Sequence, residues 1–159
     1  MIYRIGDLVA HPMHGAGVID RIETRKIGGE VREYYALKLP VGDMLVMVPV
    51  TTCAAIGVRP IVAADEAERI ISAIPDIEIN ITQNWNKRYR ENMLRIKSGD
   101  LMEVAAVVKS LVSRDLDRGL SNGERKMLHN AKQILISELV LAQQSSYDAV
   151  EKRLSLAMA

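Results

Sequence analysis

Short apolar runs broken by glycine-bearing turns fill the first third of the chain, and helical periodicity fills the rest. Gly6-Asp7 opens the run Leu8-Val9-Ala10, which stops at His11-Pro12. In HGAGVIDRIETRKI, Val18, Ile19 and Ile22, with the stretch to Ile27, suit a strand. Gly28-Gly29 predicts a hairpin, because residues without Cβ adopt the positive φ of a type I′ turn. VREYYALKL follows, partly alternating and holding two tyrosines, both good strand formers. Val41-Gly42-Asp43 predicts a second turn into MLVMVPV, where Pro49 marks an edge strand or a strand end. An edge leaves backbone groups free to accept a strand from a partner. This succession predicts a small twisted barrel or meander.

From residue 60 the texture changes. Pro60 and VAADEAERIISAI begin a helical pattern with acidic residues at its front, and Pro75 with DIEINITQ breaks it, making 75–83 a linker or inter-helix loop. Asn84 can cap a helix over 85–97 that ends at Ser98-Gly99. Asp100 with Glu103 predicts a capping box for the next helix, whose buried stripe is Leu101, Val104, Ala105, Val108, Leu111 and Val112. Gly119 suits a left-handed position after that helix. Ser121 with Glu124 predicts another capping box, before a face of Met127, Leu128, Ala131, Ile134, Leu135 and Leu139. Ser145-Ser146 interrupts it, and a last helix holds Val150, Leu154 and Leu156. Strands followed by four or five helices predict an α+β chain, with a β domain over 1–60 and a helical domain over 61–159. There is no internal repeat and no low-complexity segment.

Composition narrows the class. The chain is 48% hydrophobic and 26% charged, which describes a folded globular protein, and aromatics at 4% predict an aliphatic core. No apolar run is long enough for a membrane span, and MIYRIGDLVA lacks a signal-peptide pattern, so a cytoplasmic protein is expected. Cys53 stands alone, which excludes an intrachain disulfide. The net charge of +1 conceals a split: residues 61–79 carry 1 Lys+Arg against 5 Asp+Glu, and residues 80–159 carry 13 against 9. Residues 85–97 alone hold 5 basic against 1 acidic. That cluster points to an anionic partner.

Enzyme chemistry finds little support. His11 and His14 are spaced as a metal pair, with no third ligand apparent nearby. Cys53, in TTCAAIGV, suits a small buried thiol better than a nucleophile. Gly15-Ala-Gly17 and Gly28-Gly29 match no phosphate loop. No acid, base and oxyanion site assembles, so no enzyme and no cofactor is expected.

Trp85 is the only tryptophan of a chain without phenylalanine, and it heads the basic run NWNKRYR. On a helix beginning after Asn84, Trp85, Tyr89, Met93 and Ile96 share one face, which favours core packing. Yet Trp85 occupies the first turn, and Lys87, Arg88, Arg90, Arg95 and Lys97 flank or oppose that face. An indole among cations can stack on bases while the cations engage phosphates. Core packing, nucleic-acid contact and a protein interface all remain open from patterning. Lys109, Arg114, Arg118, Arg125, Lys126 and Lys132 are singly ordinary helix-face charges, and SRDLDRG alternates in sign like an exposed, self-paired face.

The segments IGDLVAHPMHGAGVIDRIETRKIGGEVREYYALKL and NWNKRYRENMLRIKSGDLMEVAAVVKSLVSRDLDRGLSNGERKMLHNAKQILISELVLA resemble the CarD/CdnL-type bacterial transcription regulators nearly end to end. The front is also similar to the RNA-polymerase-interacting domain of transcription-repair coupling factors. The most specific motifs are NW before a basic-aromatic cluster and RDxxRGLSxGExxML.

The resemblance implies a Tudor-like or SH3-like β-barrel that binds the polymerase β subunit, followed by a compact helical DNA-binding domain. Trp85 matches a wedge that enters the minor groove at the upstream edge of the melted bubble and stabilises the open promoter complex. Arg88 and Arg90 match basic positions of the DNA-facing surface, and the implied set extends over Lys87, Arg114, Lys126 and Lys132. On the polymerase side the implied residues are Arg25, Ile27, Met47, Val48 and Pro49. Met47 stands where relatives carry a basic residue, which implies a more apolar contact resting on strand pairing along 44–49. The expected partners are therefore bacterial RNA polymerase and promoter DNA read with low sequence specificity, with no membrane, and with nucleoid association through the polymerase. The competing expectation is an adaptor that joins the polymerase to another protein without touching DNA.

Overall fold

The computed structural model describes residues 2–40 and 43–159. The expected turn at Val41-Gly42-Asp43 lies mostly outside the described residues. Five strands, β1 (Leu8–His11), β2 (Gly15–Ile27), β3 (Glu30–Lys38), β4 (Leu45–Pro49) and β5 (Arg59–Pro60), form one antiparallel sheet in the order β4-β3-β2-β1-β5. The architecture is α+β, and its strand part is a meander with β4 and β5 at the edges. Gly28 and Gly29 take φ values of 59° and 84°, and Ile27 pairs with Glu30 across them, as the two-residue hairpin requires. A register shift between Ile19 and Arg21 inserts Asp20 as a bulge in β2. Beyond it β2 pairs only with β3, and past Tyr34, where the β3–β4 pairing ends, residues 24–27 and 30–33 form a two-stranded arm.

One face of the sheet closes on Val9, Ile19, Tyr35, Leu37, Val48, Cys53 and Val58. The short helix α1 (Cys53–Ile56) joins β4 to β5 and carries Cys53 into this core as a free, buried thiol. Gly17 is needed where β2 meets β3, because a Cβ there would stand 2.4 Å from the Lys38 carbonyl oxygen.

Five further helices follow: α2 (Ala64–Ala73), α3 (Trp85–Lys97), α4 (Leu101–Arg118), α5 (Asn122–Gln143) and α6 (Tyr147–Ala157). Their shared core runs from Ala67 and Ile70 through Val104, Val108 and Leu111 to Leu135, Leu139, Val150 and Leu154. Among the described residues no helix is long and apolar enough to cross a membrane. Asn84 caps α3 by accepting the Lys87 N–H at 2.9 Å. Two local expectations are corrected. Asp100 accepts from Met102 N–H, while Glu103 turns away to Arg95 at 3.5 Å, so the expected box does not close. Gly119 has the positive φ of 79° but an extended ψ of 165°, not the left-handed helical conformation. Leu156 is 71% exposed, because α6 is only 11 residues and its buried side is satisfied by Val150 and Leu154.

The β module is bonded directly to the helices. Ala16 N–H donates to Ser137 Oγ at 2.9 Å, and Gly15 allows the approach, since a Cβ there would stand 2.5 Å from that oxygen. Arg59 reaches across with Nη1 and Nη2 at 2.6 and 2.9 Å from the Glu138 carboxylate, which is 1% exposed. The same carboxylate accepts Val62 N–H at 2.9 Å, and Arg59 Nε donates to Gly99 O at 2.8 Å.

Candidate nucleic-acid interface

The N-terminal ends of α3 and α5 meet at Trp85. Its indole stacks on Tyr89, with centroids 5.0 Å apart and planes inclined by 15°. Nε1–H donates to Ser121 Oγ at 3.0 Å. Gly123 leaves room for the ring, since a Cβ there would already touch Trp85 Cζ2 at 3.4 Å. With these partners satisfied, Trp85 remains 42% exposed. The expected stripe therefore changes character along α3: Ile96 is buried, Met93 and Tyr89 are half-buried, and Trp85 emerges.

Beneath the indole lies an ion pair that sequence spacing did not reveal. Arg88, expected on the DNA-facing surface, is 2% exposed and cannot present its guanidinium there. Its Nε and Nη2 donate to Glu124 at 2.9 and 3.3 Å, and Nη1 donates to Thr82 O and Gln83 O at 2.9 and 3.1 Å. Glu124 is the third residue of α5, where its N–H donates to Ser121 Oγ at 3.2 Å. Its side chain completes no reciprocal capping box; its oxygens accept from Arg88 and from the Ser121 hydroxyl, with Arg114 3.9 Å away. Burial works to raise the Glu124 carboxyl pKa, but the hydrogen bond and charge of Arg88, then Arg114 and Ser121, hold it below the ordinary carboxylate value.

The cations expected here divide into groups. Lys87 and Arg90 are exposed on the side of α3 turned away from the bundle. Lys126 is exposed one turn beyond Gly123, and Arg114 is partly exposed at 24% behind Glu124. Lys87 and Arg90 share α3 with Trp85, Lys126 shares α5 with Ser121 and Gly123, and Arg114 reaches the buried Glu124. Lys132 does not join them: it faces α6, 3.5 Å from Glu151, because six residues of helix turn it far from the direction of Lys126. Arg118 pairs with Asp117 at 3.2 Å, as the alternating signs predict, and its Nη1 donates to Gln83 Oε1 at 3.2 Å. Ser121 and Gly123 were visible only as capping residues. Their contact with Trp85 bridges 36 positions, which no local pattern records.

The polymerase-side residues lie on the sheet. Cross-strand register puts Glu23, Arg25 and Ile27 of β2, Tyr34 of β3 and Met47 and Pro49 of β4 on one face. Arg25 is exposed, pairs with Glu23 at 3.0 Å and lies 5.9 Å from the Tyr34 ring centroid. Ile27 is 50% exposed. Val48 faces the other way into the core at 3% exposure, so its side chain is not on this surface. What Val48 offers is backbone, since β4 has no sheet partner on its outer edge among the described residues. As for metal chemistry, the His11 and His14 rings stand 4.6 Å apart, and His11 Nδ1 accepts Met13 N–H at 3.1 Å.

Residues 69–155 match the family model described as "CarD, C-terminal domain". The chain belongs to the CarD family. Residues 3–62 of this CarD-family protein match the model described as "CarD-like/TRCF RID domain". It is also 34% identical over 138 residues to a Bacillus subtilis (strain 168) protein named "Putative transcription factor YdeB", covering 87% of this chain and 90% of that one. The resemblance read from the front and rear motifs thus extends through both parts of the chain. CarD-family membership makes it a regulator of transcription that interacts with RNA polymerase, and the family is not a class of enzymes.

Proposed function

We propose that the β module, residues 1–60, holds the β subunit of RNA polymerase through the β4 edge and the Arg25–Ile27 face. The helical part, residues 61–159, then lies on promoter DNA at the upstream edge of the bubble. There Trp85 enters the minor groove, and Lys87, Arg90, Arg114 and Lys126 engage phosphates. Arg88 supports the wedge from below and touches no DNA. The observation carrying this reading is the half-exposed indole: it is fixed by Tyr89 and Ser121, yet not consumed by the core, and its helix exposes Lys87 and Arg90.

Energetics support the same role. A contact made with melted DNA and not with closed duplex shifts the equilibrium only by its differential affinity. A stack of about 1–3 kcal/mol raises the open population roughly 5- to 150-fold. Weak free DNA affinity suffices, because tethering to polymerase supplies a high effective concentration, and a net charge of +1 accords with that. Minor-groove contact is degenerate, so sequence preference should be low.

The test compares wild type with Trp85→Ala on polymerase-bound promoters. The variant should stay folded by circular dichroism, keep polymerase binding, and lose the extension of open-complex lifetime. Global unfolding of Trp85→Ala would make the indole a core residue instead. Promoter crosslinking unaffected by charge reversal at Lys87 and Arg90 would favour the adaptor.

A further inference from the structure

The loop before α3 holds an apolar side chain in water with unusual firmness. Ile81 is 75% exposed. An exposed isoleucine is ordinary and by itself carries nothing. What separates this one is the fixing of the backbone on both sides. Asn80 N–H donates to Ser110 Oγ at 2.9 Å, and Thr82 N–H donates to Asn80 Oδ1 at 3.0 Å. The Thr82 and Gln83 carbonyls accept from the buried Arg88, and the Gln83 side chain accepts from Arg118. Ordering a surface loop costs conformational entropy, and burial of Ile81 offsets none of it. The arrangement makes sense where a partner meets a side chain already in place, since preorganisation lowers the cost of binding.

The surroundings identify the partner. Ile81 lines a groove with Asn80, Gln83, Ser113, Arg114, Asp117 and Arg118, and Asp117 pairs with Arg118 at 3.2 Å. Arg114 and Arg118, the latter shared with Asp117, leave the lining with an excess of positive charge beside an exposed apolar group, which complements a polyanion that also presents apolar base or sugar faces. Trp85 stands four positions after Ile81, so the two lie within about 14 Å of one another, a span of roughly four nucleotides.

We propose that Ile81 is a second apolar contact to the DNA strand engaged by Trp85, with Arg114 and Arg118 on the phosphates between them. This rests on the wedge reading above and extends it from one residue to a two-point grip. Two points on one strand fix its direction as well as its position.

The test measures the half-life of heparin-challenged open complexes with Ile81→Asn, Trp85→Ala and, as a control for surface polarity, Leu156→Asn. Ile81→Asn should shorten the half-life roughly 3- to 10-fold, the scale of burying part of one isoleucine. Polymerase binding and the fluorescence of the single tryptophan should not change. Leu156→Asn should behave as wild type. A benzophenone amino acid at position 81 should crosslink to promoter DNA within about four nucleotides of the crosslink from position 85. If Ile81→Asn matches wild type while Trp85→Ala shortens the half-life, the second contact is wrong and the wedge stands. An unchanged half-life with Trp85→Ala removes both. A crosslink from position 81 to polymerase instead of DNA, or equal shortening by Leu156→Asn, also overturns the proposal.

Discussion

Arg88 and Glu124 stand 36 positions apart, and each is nearly sealed from water. A buried pair of this kind adds little over a well-packed apolar pair, but removing one member is costly, because the other charge is left without a partner. Glu124→Gln should therefore destabilise the protein by about 3–5 kcal/mol at pH 7, measured by urea unfolding. The pH dependence follows from the sign of the shift. The folded carboxyl value lies below the ordinary one, so its contribution is complete above the ordinary carboxylate range and is lost as pH falls through the depressed value. The gap between wild type and Glu124→Gln should accordingly narrow on acidification. Ser121 invites a milder change. Ser121→Ala removes both the oxygen that accepts the indole N–H and the cap of α5, at a cost of about 1–2 kcal/mol in unfolding free energy. Because Trp85 is the only tryptophan, the loosened indole should also appear directly as a shifted fluorescence maximum.

At the scale of elements, what could be read from sequence was what neighbours decide. Asn84 before α3, Ser121 before α5 and Gly28-Gly29 in the hairpin are local devices, and each works where its residue type placed it. The family motifs likewise marked Trp85 and its basic neighbours. What escaped was decided between elements. Patterning counted Arg88 with Lys87 and Arg90, although helical rotation turns Arg88 toward Glu124 and leaves the other two outside. Strand alternation likewise separates Val48 from Met47 and Pro49, a distinction that listing a continuous run 47–49 overlooks. Charge sign alone could not reveal that Lys132 belongs to Glu151. The segment over 75–83 reads as a linker or inter-helix loop, and only the fold decides for a loop pinned to α4: Lys109 Nζ donates to the Ile74, Pro75 and Ile77 carbonyls, and Ser110 Oγ accepts from Asn80. Ser110→Ala leaves that amide unpaired in a part-buried site, so the loop should exchange its amide hydrogens faster, with a loss of about 1–2 kcal/mol in global stability.

Across the whole molecule, the bonds from Arg59 to Glu138 and from Ala16 to Ser137 tie the sheet to α5. The two members of the ion pair are unequal. Glu138 is 1% exposed, whereas the Arg59 side chain is 31% exposed and still reaches water. Arg59→Met should consequently cost more than Glu138→Gln, about 3–5 against about 1–3 kcal/mol by denaturant unfolding. His11 lies near the same seam, lining a small cleft with Arg59 and Glu138. Burial, then the neighbouring His14, lowers its pKa from 6.5 to about 4. Its neutral form is the folded form. The stability it supports is complete above about pH 6.5 and drains as pH falls toward about 4, with a solvent-discounted magnitude of about 1 kcal/mol. His11→Gln should remove that part of the acid sensitivity, seen by comparing thermal unfolding at pH 7 and pH 5.

The seam also bears on how such proteins can be recombined. The two family matches stop and resume on either side of residues 63–68, which looks like a natural splice point for grafting a new front onto the helices. The chemistry disagrees with that boundary. A foreign front would have to bring its own guanidinium for Glu138 and a residue as small as Gly15 opposite Ser137. Chimeras joined within 63–68 should inherit a folding defect unless those two positions travel with the graft, so the exchangeable unit is defined by the pairs that cross the junction.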